Sequence, residues 1–268
     1  MPDSSNPAIS SWQLALRYPL RSFLAGLRFL TIIPVAWKRD EDGRFFQASV
    51  IWFPLIGLLI GSCVTLLVFL ASPFVSSAML AVLAVLLLSV FSGFLHLDGV
   101  ADSGDGLLSS RPREQALNIM RDSRSGAMGV IVLIFLILGK YAALSGLSVA
   151  NLLPTLLLAP VAGRTAILLS MAILPYARKK EAGLGQLFYS KERYSIAGMA
   201  LLFFLACCLA VSINSTFITL IALLLTVLLF SRWCFVKIGG ATGDTLGAVC
   251  EFSELSVAVA ALCLQGVI

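Results

Sequence analysis

Charge is what this chain has least of. Only 12% of its 268 residues are Asp, Glu, Lys or Arg, where an ordinary soluble domain carries about 25%. Hydrophobic residues make up 59%, and the mean hydropathy is +0.97. No soluble core of this length needs so much apolar surface, so the solvent for most of the chain must be lipid. Alternation is missing as well. The apolar runs are continuous, which excludes a transmembrane β-barrel and leaves a polytopic α-helical bundle. Histidine occurs once, and no HExxH, Walker or dinucleotide-binding pattern is present. The six cysteines lie mostly in apolar runs with no CxxC spacing. They read as small apolar fillers rather than a secreted disulfide framework.

What is there is a series of long apolar segments. A crossing helix needs about 20 such residues, and seven candidates follow: Ala48–Ala71, Phe74–Leu97, Ala127–Ser148, Asn151–Leu174, Ile196–Ile213, Thr216–Arg232 and Leu246–Val267. The stretch Ser22–Val35 is shorter and interrupted by Arg28, so it reads as an interfacial or re-entrant helix. With no small-residue cleavage motif after it, it makes a poor signal peptide. The chain thus divides into a cytoplasmic N-terminal segment, 1–47, and a single transmembrane catalytic domain, 48–268. The domain's polar loops are 98–126, 175–195 and 233–245.

The sparse charge is unevenly placed. All of the nineteen basic residues except Lys140 and Arg164 fall in segments on one side of this seven-span scheme. By the positive-inside rule that side is cytoplasmic, with the N-terminus inside. The net charge of +5 is therefore topological, and nucleic acid is not an expected partner. Lys140 and Arg164 sit near the bilayer centre. Each has two open readings: a structural partner for a neighbouring carboxylate or freed carbonyl, or a contact to an anionic ligand at the base of a cavity.

Acidic residues form two groups. Asp98, Asp102 and Asp105 stand at i, i+4 and i+7, one face of a helix if the second span continues that far. Three carboxylates so close repel one another unless a cation sits among them. Hard oxygen ligands suit Mg²⁺ or a similar ion. Gly99 and Gly106 in the same run would let a phosphate approach the backbone. RPREQALNIM has the spacing of a short amphipathic helix, and Arg121, Asp122 and Arg124 follow it. Arginine forks suit phosphate oxygens, and Asp122 could complete a metal set. The second group, Asp244, Glu251 and Glu254, opens the last span. The lone His96 is either a general base or partner to the site, or an interfacial packing residue. Two such clusters meeting at one membrane face suggest two-metal phosphoryl transfer. A proton- or cation-coupled transporter using Lys140, Arg164, Glu251 and Glu254 is the alternative, although no internal repeat supports it.

Several segments together resemble the cobalamin synthase family (adenosylcobinamide-GDP ribazoletransferase). They are FLTIIPV near Phe29–Val35, WFPLIG at Trp52–Gly57, LHLDGVADSGDGL at Leu95–Leu107 and RDSRSGAMG at Arg121–Gly129. PYARKKEAGLG at Pro175–Gly185 and GGATGDTLGAVCEFSEL at Gly239–Leu255 complete the set, in the family's order. The resemblance implies a bacterial inner-membrane enzyme that joins adenosylcobinamide-GDP to α-ribazole, or to its 5′-phosphate. The products would be adenosylcobalamin, or its phosphate, and GMP, with Mg²⁺ required. It implies that Asp98, Asp102 and Asp105 hold Mg²⁺ against the diphosphate. Asp122, Asp244 and Glu251 are then candidates for completing the metal shell or for acting as base. Arg121, Arg124 and Arg178 would counter phosphate charge, with Arg164 and Lys140 doing so from deeper in the cavity. Other cobalamin-assembly enzymes and a second copy of the chain are further partners that this reading leaves open.

Overall fold

A computed structural model of the chain describes residues 11–35, 42–122, 124–178 and 188–265. Among the described residues the elements are all helical, apart from one isolated parallel bridge between Tyr176 and Ala241. The N-terminal segment folds into α1 (Ser11–Arg17) and α2 (Pro19–Leu30). Proline at the first position of α2 suits a helix start, where no amide partner is lost. Next, α3 (Asp42–Ser49) runs through a 3₁₀ turn at Val50–Trp52 into α4 (Phe53–Ala71). Then come α5 (Ser77–Phe91), α6 (Leu95–Leu107) and α7 (Arg113–Ile119). The remaining helices are α8 (Ala127–Ser145), α9 (Val149–Ile173), α10 (Arg193–Val211), α11 (Ile213–Ile238) and α12 (Gly243–Gln265).

Six apolar stretches are long enough to cross a membrane: Phe45–Ala71, α8, α9, α10, α11 and α12. The bent pair of α5 and α6 makes up to a seventh. The expected second span, Phe74–Leu97, is not one helix. After Phe91 the chain breaks and turns by 92° into α6. Gly93 and Phe94 both take left-handed φ angles, of 59° and 58°. For Phe94 that conformation costs about 1–2 kcal/mol, so the surroundings must hold it. The Phe94 amide donates to the Ser89 carbonyl at 2.9 Å, and Arg164 donates to Ser92 Oγ at 2.7 Å. The three aspartates therefore do not extend the second span. They sit on a separate helix laid across the N-terminal ends of α8 and α12, outside the long apolar runs.

The core centres on α9, which packs against α4, α10 and α12 and is the most deeply buried span. Small residues allow this. A Cβ added at Gly57 would lie 2.5 Å from the Pro160 carbonyl oxygen, and one at Gly61 would lie 2.6 Å from that of Leu157. Without a hydrophobic drive between helices in lipid, such close backbone approach is what dispersion needs.

One end of the bundle is bound together by polar contacts between loops. Arg113 donates to the carbonyls of Ile238 and Ala177, at 2.6 and 3.0 Å. Lys237 donates to the carbonyls of Ser109 and Arg111. The segment after α9 is strapped to the start of α12 by Ala177 N–H to Ala241 O at 2.8 Å and Ala241 N–H to Pro175 O at 2.9 Å. At the opposite end, the Gln265 side chain bonds Ser148, Asn151 and Gly146, fixing the tail of α12 to the link between α8 and α9.

Candidate active site

The polar end places Asp98 and Asp102 of α6 near the first turn of α12, with Asp105 against the start of α8. Contact is close because position 99 carries no side chain: a Cβ there would meet the Asp244 carbonyl oxygen at 2.6 Å. Gly99 therefore serves helix packing. So does Gly106, where a Cβ would run into the Met120 side chain at 2.2 Å, leaving no opening for a phosphate. The α12 start is well formed. Thr242 and Thr245 exchange side-chain and backbone hydrogen bonds at 2.8 and 3.2 Å, a reciprocal cap. Asp244 accepts from Arg178 at 3.0 Å and from Thr242 Oγ1 at 3.2 Å.

Asp102 shows the electrostatic consequence. Burial raises its carboxyl to about 7, and the nearby Asp244, Asp98 and Asp105 push in the same direction, with Arg178 opposing them. These four carboxylates are thus near neighbours, short of cation charge. Asp105 differs in its contacts from the other three. Its two oxygens accept the backbone N–H groups of Gly126 and Gly129, at 2.6 and 2.8 Å. It caps the N-terminus of α8 from a helix more than twenty residues upstream, with favourable charge against the helix dipole.

The structure does not bring all six expected acids together. Asp122 lies exposed beyond α7 and holds Arg124 in a bidentate pair, at 3.0 and 2.8 Å. Hydrogen bonds from Arg124 pull the Asp122 carboxyl down to about 2. The two exposed residues satisfy each other. Arg121 lies exposed at the end of α7. Lys179, Lys180 and the rest of the expected 179–185 motif lie outside the described residues, as do Lys38 and Arg39. Among the described residues, no three His, Cys, Asp or Glu side chains converge closely enough to cage one ion. An oxygen-only pair of carboxylates still fits Mg²⁺, which is commonly held by one or two carboxylates plus substrate phosphates.

Glu251 belongs elsewhere. Deep between α8, α9 and α12, Lys140 donates to Glu251 and to Glu254, each at 2.6 Å, and Arg164 pairs with Glu254. Two cations meet two carboxylates with almost no solvent access. Arg164 also donates to Ser92 at the α5–α6 break and lies 3.5 Å from His96 Nδ1. Lys140, Arg164 and Glu251 thus form a balanced internal network rather than a ligand-facing surface. The network reaches the site indirectly, by holding the bend from which α6 departs. Of the two sequence readings, the structural partner is the one observed. Glu254 and Ser92 complete it, and Glu254 was legible as an acid one turn beyond Glu251.

Beside Asp98 and Asp244 opens a cavity of about 170 Å³. Its walls include Phe29, Phe53, Ile167, Met171 and Phe188, with His96, Asp98 and Asp244 supplying the polar side chains. The phenylalanines were not singled out by sequence reasoning, because in apolar runs nothing marks a wall residue from a lipid-facing one. The only signal was that Phe29 and Phe53 fall in the FLTIIPV and WFPLIG segments.

Comparison with known proteins adds an independent line. The family model described as cobalamin-5-phosphate synthase matches residues 22–262. A Clostridium novyi protein named adenosylcobinamide-GDP ribazoletransferase is 34% identical over 253 residues, covering 92% of this chain and 98% of its own. Relatives of the same name from Acetivibrio thermocellus and Brevibacillus brevis are 37% and 38% identical. The first alignment covers 88% of this chain and 94% of the relative, the second 89% and 96%. No solved structure matches.

Proposed function

This chain belongs to the cobalamin-5-phosphate synthase family, and on that premise we propose that it joins adenosylcobinamide-GDP to α-ribazole, or to its 5′-phosphate, releasing GMP. The observation that carries the reading is the close face-to-face approach of the α6 carboxylates and the Asp244–Arg178 pair at the start of α12. A hydroxyl oxygen of the ribazole forms a bond to the phosphate on cobinamide. The diphosphate bridge breaks, GMP leaves with its oxygen, and the hydroxyl proton passes to a carboxylate of the α6–α12 pair.

A pair of carboxylates among Asp98, Asp102 and Asp244 would hold Mg²⁺, which when bound would offset the diphosphate charge and the charge growing on the leaving phosphate. Arg178, only partly buried, is placed to exchange its Asp244 partner for a phosphate oxygen. The first amides of α12 point their positive dipole end at the same region. Asp105 holds α8 in register beside them.

The proposed setting is the bacterial inner membrane, with the carboxylate end cytoplasmic, following the basic residues clustered at that end. The transporter alternative finds no support, since its four charges neutralise one another in fixed buried pairs. The test is GMP release by purified protein given adenosylcobinamide-GDP and α-ribazole, with Mg²⁺ or with EDTA. Release dependent on both ribazole and Mg²⁺ is expected. Its absence from well-folded protein would overturn the assignment.

A further inference from the structure

We infer that the apolar cavity beside Asp98 and Asp244 is the seat of the acceptor's flat aromatic base, and that Ile167 and Met171 set the size of base admitted. The inference rests on the transferase reading above. Size is the first argument. At about 170 Å³ the space is close to that of engineered cavities, of about 150 Å³, that take a benzene ring. A corrin macrocycle cannot enter, so the corrinoid half of the donor must lie outside.

Chemistry is the second. Phe29, Phe53 and Phe188 cluster in the wall, with ring centroids 5.0 to 6.3 Å apart. Ile167 and Met171, one turn apart on α9, line the same cavity. Aromatic and aliphatic walls of this kind favour a flat ring with little polarity. The guanine of the donor is also flat, but it carries several donors and acceptors on its edge. Only His96, Asp98 and Asp244 could meet them here, and acceptors such as O6 and N7 would gain nothing from the two carboxylates, which is costly. The benzo ring of a ribazole has none.

Position is the third. The polar side chains of the cavity are His96 and the carboxylates of Asp98 and Asp244. A base seated among the phenylalanines would present its sugar toward those carboxylates, where the attacking hydroxyl is needed. Binding energy from a remote apolar group would thereby orient the reacting oxygen.

Two substitutions on α9 test this. Met171→Ala deepens the cavity, and Ile167→Phe fills it; neither side chain is charged. Acceptors would be the α-ribosides of benzimidazole and of the three-ring naphthimidazole, with equilibrium binding of radiolabelled α-ribazole measured alongside turnover. Met171→Ala should raise kcat/KM for the three-ring relative to the two-ring acceptor by about tenfold, the lower end of what a methylene-sized change in an apolar pocket is worth. Ile167→Phe should weaken α-ribazole binding and raise its KM by about tenfold, with KM for adenosylcobinamide-GDP unchanged. If Ile167→Phe does not fold, Met171→Ala carries the test.

Unchanged acceptor preference with normal GMP release would overturn this inference and leave the reaction standing. A rise in KM for adenosylcobinamide-GDP alone would overturn it in favour of guanine. Cavity-dependent α-ribazole binding without GMP release would instead sink the reaction and keep the site.

Discussion

Lys140→Met is the sharpest probe of how the interior is built. Lys140 Nζ lies 2.6 Å from one oxygen each of Glu251 and Glu254. Of the two carboxylates, Arg164 pairs with Glu254. Removing the lysine therefore strands Glu251 as a buried carboxylate with no cation of its own. Breaking a buried pair in this way costs about 3–5 kcal/mol. The double variant Lys140→Met/Glu251→Gln restores neutrality, leaving Arg164 and Glu254 paired as before, and should recover most of the loss. Unfolding in detergent followed by circular dichroism, together with steady-state GMP release, would measure both. A single variant as stable as the parent, with weaker affinity for adenosylcobinamide-GDP and no rescue by Glu251→Gln, would refute the argument. It would place Lys140 on the substrate.

Other expectations concern the polar end. Asp102→Asn and Asp244→Asn should each lower turnover by about a hundredfold or more, as loss of a group stabilising transition-state charge does. Asp102→Asn should cost no stability, since it removes a repelled charge; a folding defect would contradict this. Asp105→Ala should destabilise the protein by about 1–2 kcal/mol through the lost α8 cap, measured by the same unfolding curves, and a neutral result would remove Asp105 from that role. Asp122→Ala should leave both stability and turnover near normal, because its partner is an exposed arginine. The metal-free protein should lose stability as pH rises from about 4 to about 7. Asp102 binds its proton more tightly folded than unfolded, so the unfolded chain ionises first. Mg²⁺ should flatten that slope, and a slope of the opposite sign would show that Asp102 is not repelled.

Much of this was legible in the sequence, for identifiable reasons. The spacing of Asp98, Asp102 and Asp105 places them on one helix whatever the surroundings. The charges at positions 140 and 164 announced themselves by sitting in apolar runs. Their pairing did not, because it joins helices more than eighty residues apart and neither partner is chosen by local spacing. The bend at Gly93 was equally hidden: FSGFLH continues an apolar run, and the positive φ angles of Gly93 and Phe94 interrupt it, beside a Ser92 held by the distant Arg164. Asp105 resembled its neighbours in sequence, yet its oxygens are taken by amides 21 and 24 residues on. Composition supplied the spans, periodicity supplied the faces, and the choice among carboxylates came from packing alone.

Gly57 faces the α9 backbone at Pro160, and one turn before it on the same helix Phe53 lines the cavity. Any side chain at position 57 must push α4 outward, carrying Phe53 with it. A defect buried deep among the spans would then be felt as a changed choice of acceptor as well as in stability. In a lineage that shifts from one aromatic base to another, adaptive substitutions need not touch the ligand. They can accumulate along the α4–α9 seam, where a displacement of the helix works as a lever on the cavity wall.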